Sequence, residues 1–413
     1  MTMKIFFLIG WRNLWRNKRR SLVVITSIAL GIFAMMFSMA LMNGLNNQMV
    51  ENTISTSLGH IAFQRTGFQD DMKLQNSLDL SENAIQSLEQ TPGILAYAPR
   101  IQLEGMIRSS EASRGVLIIG IDPEKEKSVS GIAGYLLPDQ GGTFLLNRGD
   151  RELLISKTLA EKLDLRVGDK AVILFQDIDR EISGAALTVR GLYRSPIDSF
   201  DKYVIYTGMD NLAKMAGIGN RISRVVIRTE NRDAVDPVAA HLRAAVPDPG
   251  IEILTWKDMA PNLLSAVALF DAMMYIFFAI IFTTVVFSIA NVLIMAVMER
   301  FHEIGVMKSI GTRPVWIGAM VVFEAVNLAL AGLIAGVVPG LLLVGALSVT
   351  GIDFSFYMES VRVWGTGAVV YPSIKPMDVW VSALIVMGTT LTAAVYPAVK
   401  AARIKPLEAL HFI

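Results

Sequence analysis

Four apolar runs, Leu22–Met42, Leu263–Met298, Val315–Val349 and Met377–Val399, decide what this 413-residue chain can become. Each is as long as the roughly 20 residues an α-helix needs to cross a hydrocarbon core of about 30 Å. A backbone in that core must satisfy its own polar groups, so such runs are helical. Only 18% of the residues are charged and 53% are hydrophobic, whereas a soluble domain carries about 25% charge. The excess apolar content sits in the four runs. The chain therefore reads as an integral membrane protein with a large polar portion.

The first run follows a basic, aromatic lead-in: Lys4, Trp11, Arg12, Trp15, Arg16, Lys18, Arg19 and Arg20. With Ile5, Leu8 and Ile9 these residues fit an interfacial helix over 1–20 on the cytoplasmic leaflet. A plain basic flank fits equally. Ser38-Met39-Ala40 resembles a cleavage site, but the lead-in and the apolar run are both too long for a secretory signal. The expectation is an uncleaved first span over 21–42. The second run, 263–298, would extend about 54 Å as a helix, more than the core requires. Asp271 near its start favours a stalk that projects toward the polar region. The third run, within 314–350, holds Glu324 and Asn327, and places Gly332, Gly336 and Gly340 at four-residue spacing. That stripe lets helix backbones approach closely, and Pro339 predicts a kink or break.

Residues 43–262 have ordinary soluble composition. They begin helically over Asn43–Ser57 and continue as strand-like runs: His60–Gln64, Ile94–Tyr97, Gly115–Ile121, Glu152–Ile155, Lys170–Phe175, Ala186–Val189, Lys202–Tyr206, Arg224–Arg228 and Ile251–Leu254. Asp122-Pro123, Asn147–Asp150 and Val167-Gly168-Asp169 supply turn signals. Helices are expected at Ser156–Leu163, with Ser156 as N-cap, and at Asp210–Ala216 and Asp233–Ala245. The fold class is α+β: four transmembrane helices, one N-terminal and three C-terminal, with an α+β domain inserted after the first span. Gly-rich 125–150 suggests a boundary between two lobes.

Charge orients the chain. Lys4, Arg12, Arg16, Lys18, Arg19, Arg20, Arg300, Lys308, Arg313, Lys400, Arg403 and Lys405 fall in short segments on one side; only Arg362 and Lys375 fall in the short loop on the other. The excess sits in the cytoplasm. Both termini, the segment 299–313 and the tail 400–413 are thus cytoplasmic, with 43–262 and the short polar loop 351–376 outside. The second span and stalk cover 263–298, and the fourth span covers 377–399.

Several chemistries are excluded. A net charge of +1 with no basic stripe gives no argument for nucleic acid. There is no cysteine, hence no disulfide or thiolate site. No GxxxxGK[ST] occurs, so the chain has no phosphate-binding P-loop of its own. His60, His241, His302 and His411 are scattered, and His302-Glu303 fails as HExxH because position 306 is Val306. No metal site and no enzymatic role is expected. Glu324 within a span is costly; a packing hydrogen bond to a neighbouring span or to Glu299–Arg300 fits better than proton transport. Glu299 and Glu303 share a helical face, Gly305 permits close docking, Gly311 fits a C-cap and Pro314 a helix start. A solvated turn and a docking element both fit this hairpin.

At these residues the chain resembles the permease subunits of the mechanotransmission class of ABC transporters. That class spans lipoprotein-releasing, macrolide-exporter-type and cell-division permeases. The resemblance lies in Glu299–Gly311 (ERFHEIGVMKSIG), in Tyr396–Arg403 followed by Pro406–Leu410, in Glu324 with its following glycines, and in Leu153–Leu174. Met42-Asn43-Gly44, Gly59-His60-Ile61 and Gly120–Glu126 are most similar to lipoprotein-releasing permeases. The resemblance implies a bacterial inner-membrane subunit. A separate cytoplasmic ATPase dimer would bind ATP and magnesium, with no cofactor in this chain. Glu299, Arg300, Glu303, Ile304, Gly305, Lys308 and Gly311 would couple to that ATPase. It also implies a second permease copy or paralogue and a periplasmic lipoprotein carrier or adaptor. Lipid-linked substrate would enter a cleft for which Met39, Met42, Met273 and Met274 are candidate lining residues. Packing would explain these methionines equally well.

Overall fold

The computed structural model describes residues 11, 12, 16, 18–79 and 82–407. Lys4, Ile5, Leu8, Ile9 and Trp15, which carry the interfacial-helix expectation, lie outside these residues, as do Glu408–Leu410. The chain divides into two compact units. One comprises Met1–Asn46, Ala266–Asp353 and Val369–Ile413; the other comprises Asn47–Ser265 and Phe354–Ala368.

Among the described residues, four helices are long and apolar enough to cross a membrane: Lys18–Leu58, Pro261–Glu299, Pro314–Thr350 and Pro376–Arg403. Pro314 and Pro376 sit in the first turns of their helices, where a missing N–H costs nothing and the fixed φ suits the helix. The first helix is α-helical over Lys18–Thr53 and closes on a π turn, Ile54–Leu58. Of the kink or break expected at Pro339, the break does not occur: the third is one helix from Pro314 to Thr350. Asp271, expected in a projecting stalk, is half-buried and accepts a hydrogen bond from Asn46 Nδ2 at 3.4 Å. It groups with the spans, and of its helix only Pro261–Ser265 groups with the soluble unit.

The spans share one core. Val24, Ile28, Ile32 and Met36 of the first helix meet Val285, Ile289 and Leu293 of the second, Ala325 and Leu328 of the third, and Val386 and Ala394 of the fourth. The glycine stripe brings the third helix onto the first. A Cβ at Gly332 would lie 2.6 Å from Ile28 Cγ2, and one at Gly336 would lie 2.6 Å from the Ala29 carbonyl oxygen. Gly340 is looser, with Met36 Sδ at 3.4 Å. A Cβ at Gly332 would also meet Ile28 Cβ at 2.7 Å, an atom as fixed as the backbone, so Gly332 and Gly336 are both strict positions. Gly336→Leu is expected to destabilise the bundle by about 1–3 kcal/mol, and Gly340→Ala by much less. Thermal unfolding of the detergent-solubilised proteins checks the order.

In the soluble unit nine strands form, at the places the alternation marks: β1 Ile61–Arg65, β2 Ile94–Arg108, β3 Ser113–Ile121, β4 Glu152–Ser156, β5 Lys170–Gln176, β6 Ile182–Tyr193, β7 Val204–Gly208, β8 Arg224–Thr229 and β9 Ile251–Thr255. They hydrogen-bond in the order β3-β7-β4-β6-β5-β2-β8-β1-β9, and β3 also pairs with β2. That last pairing closes six strands, β2 to β7, into a ring. The remaining strands continue as an open sheet from the first half of β2. The long strand β2 serves both parts, since Ile94–Arg100 pairs with β8 and Arg100–Arg108 pairs with β3. Residues 125–150, where a lobe boundary was expected, lie between β3 and β4, within the excursion that builds the ring.

The capping chemistry is local. Ser156 accepts a hydrogen bond from Leu159 N at 3.0 Å and starts the helix Lys157–Leu163. Asp122 caps Pro123–Val129, so Asp122-Pro123 is a helix start as well as a turn. That helix carries Glu126 to Arg100, and both side chains are fully buried. Two guanidinium nitrogens of Arg100 reach the carboxylate at 3.0 and 2.6 Å, and a third donates to the Ser57 carbonyl at 2.5 Å. Burial pushes the guanidinium pKa down, the adjacent carboxylate pushes it up, and the net direction is upward. Gly131 N donates to Ser55 O at 2.9 Å and the Tyr206 hydroxyl to Thr56 O at 3.4 Å. Three successive carbonyls that a helix end leaves bare thus find partners far along the chain.

The loop 351–376 is not the simple polar connection expected. Ile352–Asp353 pairs with Val369–Val370, and Phe354–Ala368 belongs to the soluble unit. Arg362 is buried and donates to Asp201 Oδ2 at 2.5 Å and to Ser195 O at 3.0 Å. Burial holds the Asp201 carboxyl above its ordinary range, against the opposing pull of Ser195 and Arg362. Asn52 Nδ2 donates to Gly365 O at 3.0 Å.

Candidate coupling site

The helix ending at Glu299 is followed by Arg300, whose backbone leaves the helical region, and by a short helix, Phe301–Ser309. Gly311, at φ +96°, ends the turn; its N–H bonds to Lys308 O and that of Thr312 to Met307 O. Only glycine takes this conformation without strain. Pro314 then opens the third span.

The short helix has an inner face and an outer face. Ile304 is buried with Val297, Ile317, Val321, Ala398, Ala401 and Ile404, and Gly305 is buried beside it. Lys308 Nζ donates to Ala402 O at 2.9 Å and Ile404 O at 2.6 Å. An ammonium there satisfies the bare carbonyls at the end of the fourth helix and complements its dipole. Ile304, Gly305 and Lys308, three of the candidate coupling residues, therefore seat the helix against the spans. The outer face is His302, Val306, Ser309 and Ile310, with Ile310 78% exposed. These positions recur at helical spacing, so their sharing a face was available from sequence.

A charge network holds the flank of this helix. Arg20 reaches Glu299 at 2.5 Å and Glu324 at 3.7 Å. Arg16 reaches Glu303 at 2.6 Å, and Arg300 reaches Glu303 at 3.1 Å and Glu324 at 3.3 Å. The hydrogen bond from Arg16, followed by that from Arg300, holds the Glu303 carboxyl below its ordinary range despite partial burial. Glu324 thus meets Arg300, at the segment the sequence pointed to. Arg16 and Arg20, read from sequence as part of an interfacial helix or a basic flank, supply the other half of the network.

The four methionine candidates have different surroundings. Met39 packs with Met35 and Phe278, and Met274 joins them. Met273 points away, 44% exposed, and Met42 is half-buried outside that cluster. Neighbouring residues of a helix diverge by about 100°, which sets Met273 and Met274 at different angles around it. Among the described residues no group of three or more His, Asp or Glu is placed to hold a metal ion.

Two family descriptions match the chain: a MacB-like periplasmic core domain over residues 21–245 and an FtsX-like permease C-terminal region over 275–406. The chain is 24% identical over 426 residues to the lipoprotein-releasing system transmembrane protein LolC of Neisseria meningitidis, covering 98% of each. It is 22% identical over 428 residues to LolE of Haemophilus influenzae, again covering 98% of each. Against the macrolide export ATP-binding/permease protein MacB of Acinetobacter baylyi the identity is 22% over 329 residues, covering 78% of this chain and 48% of that one. Four apolar helices in a chain so related make a multi-pass inner-membrane protein with a periplasmic domain. Because the first match takes in more than half of the sequence, the chain belongs to the ABC transporter permeases that join a MacB-like periplasmic core to an FtsX-like permease region.

Proposed function

We propose that this chain is the permease subunit of a lipoprotein-releasing transporter. A separate cytoplasmic ATPase dimer binds ATP and magnesium and docks on the outer face of Phe301–Ser309. Its cycle moves the periplasmic domain, which draws lipidated protein out of the outer leaflet. Both termini are cytoplasmic, and a second permease, identical or paralogous, completes the membrane unit. A periplasmic carrier receives the cargo. The observation that carries the reading is end-to-end similarity to LolC and LolE, 98% of each chain, in a sequence without a P-loop. The exposed Val306 and Ile310 beside a braced, charged flank support docking over a merely solvated turn. An exporter working with a periplasmic adaptor and an outer-membrane channel is the second reading, favoured by the similarity to MacB; a mechanical regulator of a periplasmic hydrolase is a third. ATP turnover of the purified complex in proteoliposomes separates them. Stimulation by a triacylated lipoprotein is expected. Stimulation only by adaptor and channel, or co-purification of a hydrolase without lipid response, would overturn the proposal.

A further inference from the structure

The segment between the third and fourth spans has two unlike sides. Arg362 is buried against Asp201 and Ser195. Beside it Phe356, Tyr357, Val363 and Trp364 are 90%, 61%, 66% and 56% exposed. The rings of Phe356 and Tyr357 pack edge to face at 5.0 Å, so the aromatic surface is shaped rather than scattered. Large aromatic groups held at a surface in this way mark a site of interaction.

Chain length limits what this surface can meet. The third span ends at Thr350, and Phe356 follows six residues later. At about 3.5 Å per residue it stays within roughly 20 Å of the span end. Tyrosine and tryptophan concentrate at the membrane–water boundary, where a ring with an apolar body and a polar edge is best solvated. The one arginine of the segment is turned inward and spent on Asp201, so no exposed arginine opposes insertion.

We propose that Ser355–Gly365 lies in the outer-leaflet interface, with Phe356, Tyr357, Val363 and Trp364 among the lipids and Arg362 tethering this wedge to the periplasmic domain. The occupant is the lipid surface itself. The inference rests on the membrane topology of the family and not on the transported substrate. Movement of the domain would then disturb the lipids around it directly.

The chain contains no cysteine, so single nitroxide labels can be placed at Phe356→Cys and Val363→Cys in the full-length protein. Reconstitution is into phosphatidylethanolamine–phosphatidylglycerol vesicles, with Glu111→Cys in the exposed β2–β3 turn as reference. Both loop labels are expected to collide with oxygen several-fold more, relative to a water-soluble nickel chelate, than the reference label does. Arg362→Gln should leave the loop labels more mobile. Loop labels as accessible to nickel as the reference would overturn the proposal. So would labels that become shielded only when an acylated protein is added, which would assign the surface to substrate. Unchanged label mobility in Arg362→Gln would remove the tether. Because the depth measurement uses no change at Arg362, it stands even if that variant fails to fold.

Discussion

Replacing Arg100 with alanine is expected to lower the stability of the periplasmic domain by about 3–5 kcal/mol, the cost of stranding one member of a buried ion pair. Arg100 and Glu126 are both fully buried, and the guanidinium makes two hydrogen bonds to the carboxylate and one to Ser57 O. Removing it leaves a charge without a partner and a helix-end carbonyl without a donor. The comparison that isolates the cause is Arg100→Met with Glu126→Leu. Replacing both charges by apolar groups is often neutral or stabilising, so the double variant should recover most of the loss. It would still lack the donor to Ser57, worth about 1–3 kcal/mol when such a group is left buried and unpaired. Denaturant unfolding of the wild type, the single variant and the double variant reads all three. A single variant as stable as the double would mean that the pair is not what holds this region.

What sequence makes legible here is what is local. The spans, the nine strands, the Ser156 cap and the Gly311–Pro314 turn each depend on residues a few positions apart, and each was placed to within a few residues. The length of β2 was not. The strand-like run recognised as Ile94–Tyr97 continues to Arg108. Pro99 lies opposite Val225 of β8, and β3 pairs only from Arg100 onward, so β2 has a free edge at Pro99 where a missing N–H is tolerated. The ring closure, which depends on that length, was hidden with it. Arg362 was counted as a loop charge and is instead buried on Asp201, 161 residues away. The partners of Arg16 and Arg20 are equally remote, separated by 287 and 279 residues, and no periodicity reports a contact of that kind. The methionines show a different limit: helical spacing gives the face of a residue but not which faces a bundle leaves open.

The charge network beside Phe301–Ser309 yields the sharper test of the proposed coupling. Arg20→Glu would place a third carboxylate beside Glu299 and Glu324, where Arg20 now lies within ion-pair distance of both. Like charges at this distance repel where opposite charges attracted, and a loss of about 1.4 kcal/mol corresponds to a factor of about ten. Under the proposed function, the lipoprotein released per ATP hydrolysed should fall about tenfold, with ATP turnover largely kept, because the outer face of Phe301–Ser309 is untouched. Adding Glu299→Arg restores one attraction and leaves the carboxylate at position 20 against Glu324, so the double variant should recover part of the ratio but not all of it. Glu303→Lys acts on the same helix from Arg16 and should uncouple likewise. The sign with pH follows from Glu303: its carboxyl is held below the ordinary range, so its ion pair is present above that range and is lost as pH falls through the lowered value. Coupling should therefore persist through mild acid in the wild type. If Arg20→Glu and Glu303→Lys both release lipoprotein at the wild-type ratio, the short helix is only a turn between spans, and the force that moves the periplasmic domain enters elsewhere.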